Sequence, residues 1–193
     1  MSAASAQILS YRSDPVYRRE AFDWYIEDDA SVRKLFDAIR FTGSIHDPCC
    51  GGGNIPRIAA ELGYVATGSD IVDRGFGQGG VNFLDDETPR ENIVFNPPYG
   101  KFAERCILHA LRVASGRVAA LVQLRFVCSQ GRYARLFKPR PPEAVLPLAT
   151  RPSMPPGGLP IEAKGGKIDY CWIVWSNERL HPSQPTSVIR WLP

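Results

Sequence analysis

The chain has 193 residues, of which 44% are hydrophobic, and a formal net charge of +3. This length and composition predict a single domain with a buried core, and no apolar run approaches the roughly 20 residues that a membrane-spanning helix needs. Five cysteines without a Cys-x-x-Cys pair indicate reduced thiols in a cytoplasmic protein and argue against a disulfide framework or a zinc site.

The predicted elements follow one another as helix, strand, helix, strand, loop, strand, helix and strand. Apolar spacing and turn residues place them at 31–39, 44–47, 54–62, 64–69, 92–95, 101–113 and within 117–127, with a last strand at 169–175. Asn54 is the expected N-cap of the second helix. This order predicts an α/β fold with a mainly parallel sheet and helices on both faces. Residues 1–20 are expected to form a flexible arm and residues 21–193 one domain.

The stretch 129–166 differs from the rest because it is rich in proline and in basic residues. Prolines are excluded from central strands, so we expect mostly loop here, with a short helix near 131–137. Residues 101–193 hold 14 Lys/Arg and 5 Asp/Glu, against 9 and 15 in residues 1–100. Such asymmetry indicates a face that meets a polyanion, or simply an unevenly charged solvated surface.

The first motif, Asp47-Pro48-Cys49-Cys50-Gly51-Gly52-Gly53, follows a strand and precedes a helix. Glycines there allow a close approach of the backbone to a ligand. The loop has no basic residue, which argues against a phosphate ligand. Asp70 ends the next strand, where an acid can accept hydrogen bonds from both hydroxyls of a ribose. The alternative role of Asp70 is to cap a turn.

The second motif, Asn96-Pro97-Pro98-Tyr99, follows the strand at 92–95. A side-chain carbonyl from Asn96 and the main-chain carbonyl of Pro97 form a pair of acceptors suited to a planar amino group. Pro98 fixes the turn, and Tyr99 offers a face on which an extruded base can stack. The alternative is a simple strand-to-turn signal, because Asn-Pro and Pro-Pro are common in loops.

Together the two motifs resemble those of S-adenosylmethionine-dependent amino-methyltransferases, which carry DPxxGxG and NPPY, and in particular the phage and prophage DNA adenine-N6 methyltransferases. The resemblance runs from about residue 22 to residue 176 and implies a Rossmann-like class I fold, S-adenosylmethionine as cofactor and DNA as partner. The NPPY motif is shared by enzymes that methylate RNA bases and protein glutamine amides. Those substrates therefore stay open, as does a non-catalytic, nucleic-acid-binding prophage remnant.

The resemblance also implies the roles of individual residues. The catalytic residues are Asn96, Pro97, Pro98 and Tyr99. The residues implied at the cofactor are Trp24, Tyr25, Asp47, Pro48, Cys49, Gly51, Gly53, Asp70, Ile71, Asn82, Phe83 and Asn96. Core packing is an alternative role for Trp24, Tyr25, Cys49 and Phe83, and Asn82 stands where the family often has Asp. Residues suited to DNA phosphates are Arg132, Arg135, Arg151 and Lys164. No metal is implied, and the oligomeric state stays open.

Overall fold

The computed structural model describes residues 24–155, 166–177 and 187–193. Its helices are α1 (Asp29–Ala38), α2 (Asn54–Glu61) and α3 (Lys101–Val113). Its strands are β1 (Ile45–Asp47), β2 (Ala66–Gly68), β3 (Asn92–Phe95), β4 (Arg117–Gln123), β5 (Ala144–Pro147), β6 (Tyr170–Ser176) and β7 (Val188–Ile189). Within the described ranges, no helix is long and apolar enough to cross a membrane.

The strands form one sheet in the order β2-β1-β3-β4-β6-β5-β7. The first four of these run parallel to one another, whereas β6 is antiparallel to both β4 and β5. The chain leaves β1 toward β2 on one side and then returns to place β3 on the other side of β1. This reversal puts a crevice at the carboxyl ends of β1 and β3, which is where open α/β sheets bind their ligands.

The sheet is covered on both faces, which confirms the predicted fold class. Alternate residues of β3 and β4 point to opposite sides, as strand geometry requires. Val94, Ala119 and Leu121 pack against α1 and α2, while their neighbours Phe95 and Ala120 pack against α3. The buried Trp172 of β6 also donates its indole N–H to the carbonyl of Ser31, 3.0 Å away, which ties α1 to the centre of the sheet.

Two predictions about local structure are wrong. Asn54 is the first residue of α2 and the N-cap is Gly53, which has a left-handed φ of 86°. The proline-rich stretch contains a strand in the sheet interior, β5, which pairs with β6 on one side and β7 on the other. Pro147 is tolerated because it is the last residue of β5. The helical turns at Gln130–Arg132 and Tyr133–Phe137 agree with the predicted short helix.

Candidate functional site

The crevice brings the two sequence motifs together. Asp47 is the last residue of β1, and Asn96 immediately follows β3, which pairs directly with β1 in parallel. Because the carboxyl ends of adjacent parallel strands lie at one edge of a sheet, the loop at 47–53, called the glycine loop below, and the Asn-Pro-Pro-Tyr turn at 96–99 lie at the same edge. Asp47 and Asn96 are both buried, at 2% and 9% relative exposure.

The glycine loop has two close approaches that require the absence of a side chain. Gly51 and Gly53 have left-handed φ values of 52° and 86°. A Cβ on Gly51 would lie 2.5 Å from Nε1 of Trp24, and one on Gly53 would lie 2.3 Å from the ring of Phe76. The loop is therefore a cradle in which aromatic rings rest directly on backbone.

Asp70 joins the end of β2 to the glycine loop. Its Oδ2 accepts a hydrogen bond from the Gly51 N–H at 2.8 Å, and its Oδ1 accepts one from the Val72 N–H at 2.9 Å. The same Oδ1 lies 3.2 Å from Nη1 of Arg74. Asp70 thus fixes the loop and caps a turn, and Oδ2, which accepts one hydrogen bond where Oδ1 accepts two, keeps capacity for a further donor. The neighbouring Ile71 is 48% exposed.

The amide of Asn96 is engaged at one end only. Its Nδ2 donates to Oε1 of Glu27 at 2.8 Å. Its Oδ1 is buried and has no hydrogen-bond partner among the described residues. A buried polar atom without a partner costs on the order of 1–3 kcal/mol. Such an atom at the carboxyl edge of the sheet is suited to accept a hydrogen bond from a substrate.

Two acids share this buried region. Burial raises the pKa of Glu27 from 4.5 to about 7, against the opposing effect of its hydrogen bond with Asn96. Burial also raises the pKa of Asp47 well above its ordinary value, and the nearby Glu27 adds to this. None of the ion pairs among the described residues involves either acid. The site therefore favours a positively charged ligand.

Tyr99 is held from two sides. Its ring packs against Tyr25, with centroids 5.4 Å apart and planes tilted by 37°. Its hydroxyl lies 3.2 Å from the hydroxyl of Tyr170, at the start of β6, and 3.8 Å from the sulfur of Met154. Burial raises the pKa of Tyr99 well above 10, so the phenol stays neutral.

The segment Trp24–Glu27 covers the crevice. Trp24 lies between Gly51 and the guanidinium of Arg74, whose Cζ is 4.5 Å from the indole centroid. Two hydrogen bonds to the backbone of the segment anchor it. Ile26 N–H donates to the Pro155 carbonyl at 3.0 Å, and Asn54 Nδ2 donates to the Glu27 carbonyl at 2.7 Å. These contacts place both sequence-predicted aromatics at the crevice.

Other candidate residues lie away from the crevice floor. Asn82 is exposed and caps the short helical turn Phe83–Asp85, accepting from Leu84 N–H at 3.3 Å and donating to Asp85 at 2.6 Å. It also lines a surface cleft of about 500 Å³. Phe83 is buried edge-to-face against Phe95, and Cys49 packs partly buried against the same core layer. The contacts of Phe83 and Cys49 are therefore those of core packing, the alternative role that the sequence left open for them.

His46 is a buried residue of β1 whose ring lies between two hydroxyl groups. Its Nδ1 lies 2.8 Å from Oγ1 of Thr67 and its Nε2 lies 3.2 Å from Oγ of Ser69. Burial lowers the pKa of His46 to about 4, so the ring is neutral at pH 7. Across residues 24–155, 166–177 and 187–193, no three His, Cys, Asp or Glu side chains converge as a metal site would require.

The basic candidates differ in their surroundings. Arg135 is 63% exposed and pairs with Glu104 at 2.6 Å, and Arg151 is 61% exposed and pairs with Asp169 at 2.7 Å. Arg132 instead packs over the ring of Phe126 at 4.3 Å and donates to its carbonyl. Lys164 lies outside the described residues. Glu104 is in the first turn of α3 and Asp169 precedes β6, so Arg135 and Arg151 flank the same sheet edge as Asn96.

The sequence interpretation missed Glu27, Arg74 and Phe76. Glu27 lies two residues after the aromatic pair Trp24-Tyr25, but no spacing rule connects it to a motif 69 residues further along the chain. Arg74 follows Asp70 by four residues, which is the one local signal for their ion pair. Phe76 lies in a second glycine-rich loop, at 75–80. A single aromatic residue among glycines is the sequence signal that could have indicated its contact with Gly53.

Comparison with protein-family models finds no match, and comparison with curated proteins finds none either. Solved structures do match. The modification subunit of a proposed type I restriction enzyme from Vibrio vulnificus YJ016 aligns with a TM-score of 0.57 at 12% identity, over 85% of this chain and 49% of that one. The chain thus spans about half the length of that subunit.

Two further matches cover most of both chains. A protein proposed to be an RNA methyltransferase, from Pyrococcus horikoshii, aligns with a TM-score of 0.60 at 12% identity over 80% of this chain and 87% of that one. Magnesium protoporphyrin IX methyltransferase from Synechocystis PCC 6803, solved with bound S-adenosylmethionine, aligns with a TM-score of 0.50 at 12% identity over 77% and 76%. The chain therefore has the α/β Rossmann-like methyltransferase fold.

Proposed function

We propose that this chain is an S-adenosylmethionine-dependent methyltransferase that acts on the exocyclic N6 amine of adenine in DNA. The observation that carries the proposal is the buried Oδ1 of Asn96, an acceptor that has no partner among the described residues, at the ligand-binding edge of a methyltransferase fold. An exocyclic amine is a donor with two N–H bonds. It would satisfy Asn96 with one of them and leave the other for the Pro97 carbonyl.

The residues present fit the cofactor. S-adenosylmethionine carries positive charge on its sulfonium and ammonium groups, and the crevice holds two acids, the partly buried Glu27 and the buried Asp47, which form no ion pair among the described residues. The glycines at 51 and 53 let groups lie directly on the backbone, as the rings of Trp24 and Phe76 do, and a ligand entering there would take the place of those rings. Asp70 would meet the ribose, because its oxygens are fixed at the end of β2 beside that cradle.

The cofactor supplies an activated methyl group, so the protein's own residues need only bind and align the amine. The lone pair of an aromatic amine is delocalised into its ring. Asn96 and Pro97 would hold the two N–H bonds so that the lone pair is directed at the methyl group. The segment Trp24–Glu27, which covers the glycine loop, would exclude water from the reaction.

Two observations support DNA as the substrate. The restriction-enzyme subunit shares the fold, and the exposed Arg135 and Arg151 flank the sheet edge that holds Asn96. RNA is the second candidate, supported by the fold shared with the Pyrococcus protein. A glutamine amide is also a planar amino group and would fit the same pair of acceptors. A non-catalytic remnant would bind nucleic acid without turnover.

In the deciding experiment the protein is incubated with S-adenosylmethionine that carries a labelled methyl group. Each reaction also contains one substrate, which is unmethylated DNA, RNA or a protein mixture. Digestion of the labelled polymer and mass spectrometry then identify the modified unit. The proposal expects N6-methyldeoxyadenosine. Label in RNA or protein alone would reassign the substrate, and label in none of the three would contradict the enzyme.

Replacement of Tyr99 should separate its ring from its hydroxyl. Tyr99→Phe should keep most activity, because its hydroxyl contacts Tyr170 and Met154 and the ring face is what would stack on a base. Tyr99→Ala should weaken DNA binding by about 1–3 kcal/mol, the usual contribution of one base–aromatic contact. For both variants, the rate of methyl transfer measures activity and the Kd for an adenine-containing oligonucleotide measures binding. Equal losses in both variants would show that the hydroxyl matters.

Replacement of the flanking arginines should change the salt dependence of DNA binding. In the variant R135Q/R151Q, the slope of log K against log salt concentration should flatten by about 1.8, which is 0.9 for each of two lost phosphate contacts. The affinity for S-adenosylmethionine should stay the same. Binding of a fluorescent duplex at several salt concentrations measures the first quantity, and calorimetry measures the second.

The matched control is R33Q/R112Q. These arginines are also exposed and ion-paired, with Glu61 and Glu87, but Glu61 ends α2 and Arg112 lies in the last turn of α3, at the opposite edge of the sheet. The control should leave the slope unchanged. Equal slopes in the wild type and both double variants would place the DNA surface elsewhere and favour the protein substrate.

A further inference from the structure

The pair of acceptors formed by the Asn96 side chain and the Pro97 carbonyl works only if the oxygen of the Asn96 amide faces the substrate amine. The two ends of an asparagine amide have nearly the same shape, but the oxygen accepts and the nitrogen donates. With the amide reversed, the NH2 group would face the N–H bonds of the substrate amine. In the structure Nδ2 donates to Oε1 of Glu27, 2.8 Å away, and Oδ1 has no hydrogen-bond partner in the part of the chain that the structure describes.

Glu27 is suited to impose this orientation. An ionised carboxylate accepts hydrogen bonds and has none to donate. It can therefore hold the nitrogen end of the amide but not the oxygen end. The carbonyl of Tyr25 also lies on the Nδ2 side, at 3.5 Å. Reversal would bring the amide oxygen against these acceptors.

The backbone of Glu27 is held independently of Asn96. Its carbonyl accepts from Asn54 Nδ2 at 2.7 Å, and the preceding Ile26 N–H donates to Pro155 at 3.0 Å. Glu27 therefore lies on a fixed segment and is in place before any substrate arrives. A hydrogen bond donated to such a group restricts the amide at little cost in conformational entropy at the moment of reaction.

We propose that Glu27 is a positioning residue that holds the Asn96 amide with its oxygen toward the substrate amine. This inference rests on the proposed function, in which that oxygen accepts from the amine. In this role Glu27 does not contact the substrate amine itself. It acts through Asn96, and it thereby favours amines over groups that would accept a hydrogen bond at that position.

The charge state of Glu27 controls this role. Its pKa of about 7 means that it gains a proton in mildly acidic solution. The protonated carboxyl has a donor and can bind Oδ1 as well as Nδ2, so the amide loses its preference. The charged group that faces Glu27 is Asp47 at the end of β1, and the other titratable groups under its influence are Tyr99 and Cys50.

The kinetic test is a pair exchange. E27L, which removes the acceptor, should lower kcat by roughly 10- to 100-fold, in line with the loss that follows from misplacing a reacting group, and should change the DNA KM little. N96D sets two carboxyls against each other and should be similarly poor. In the double variant E27Q/N96D the donor is the amide at position 27 and the acceptor is the carboxylate at position 96, so one donor faces one acceptor again. Its kcat should be at least about tenfold higher than that of N96D.

The structural test needs no substrate. The side-chain NH2 signal of Asn96 in a ¹⁵N–¹H NMR spectrum, identified by its loss in N96A, should shift with pH around a midpoint near 7 as Glu27 titrates. The shift should be absent in E27Q. E87Q is the matched control, because Glu87 is exposed and pairs with Arg112, and it should leave both the titration and kcat as in the wild type.

The two tests distinguish the inference from the function on which it rests. If the wild type transfers no methyl group to any substrate, the proposed function fails, and the NMR titration still decides whether Glu27 controls the amide. Wild-type kcat in E27L, no recovery in the double variant, or an Asn96 signal that titrates alike in the wild type and E27Q would each overturn the inference. Thermal melting of every variant identifies a loss caused by unfolding.

Discussion

Asn96→Ala is expected to lower the rate of methyl transfer by roughly 10²–10³, the usual cost of removing one aligned hydrogen-bond partner from a reacting group. The variant deletes the buried acceptor Oδ1 and leaves Glu27 without its amide partner. The cradle at Gly51 and the acid Asp70 are untouched, so the affinity for S-adenosylmethionine should stay within a few-fold. Single-turnover rates measure the first effect and calorimetry measures the second.

Asn177→Ala is the matched control for this variant. Asn177 also has a partly buried amide, and its Nδ2 donates to the carbonyls of Leu111 and Ala114. It follows the end of β6, at the edge of the sheet opposite the crevice. Asn177→Ala should lower thermal stability while the folded fraction keeps its rate. A wild-type rate in Asn96→Ala would mean that another group carries the chemistry.

Asp70→Ala is expected to have the largest effect on stability, about 3 kcal/mol. The change leaves the N–H groups of Gly51 and Val72 without their acceptor and the guanidinium of Arg74 without its counter-ion. Arg74 has only 9% side-chain exposure, and loss of one partner of a buried pair typically costs 3–5 kcal/mol. For a domain of this size, the melting temperature should fall by about 6–12 °C.

Asp70→Ala should also weaken S-adenosylmethionine binding by at least about tenfold, because each lost hydrogen bond to a charged group contributes about 1.5–3 kcal/mol. Asp73→Ala is the control, since Asp73 is exposed and accepts only from the nearby Gly75 N–H at 3.0 Å among its described hydrogen bonds. Urea unfolding and calorimetry give both quantities. Equal stability losses in the two variants would show that Asp70 caps a turn and does no more.

Much of the fold could be predicted from the sequence because the relevant signals are local. The strand at 92–95 and the helix at 101–113 agree with β3 and α3 in their bounds. Apolar periodicity sets such elements wherever one face packs on a core. The strand β5 could not be predicted in this way, because its four residues end in Pro147 and their place in the sheet comes from pairing with β6, far along the chain.

The sequence determined one part of the site's chemistry, and the tertiary structure determined the other. The sequence by itself determined the two motifs, the acid after the second strand and the order of the helices and strands along the chain as far as β4, and these predict a cofactor loop and an amine acceptor at strand ends. Only the tertiary structure decided which way the Asn96 amide faces and which acid holds it. Glu27 lies 69 residues from Asn96, and no periodicity or spacing rule extends over that distance. Their contact exists because the segment before α1 folds back over the sheet edge, where burial makes a hydrogen bond between them favourable.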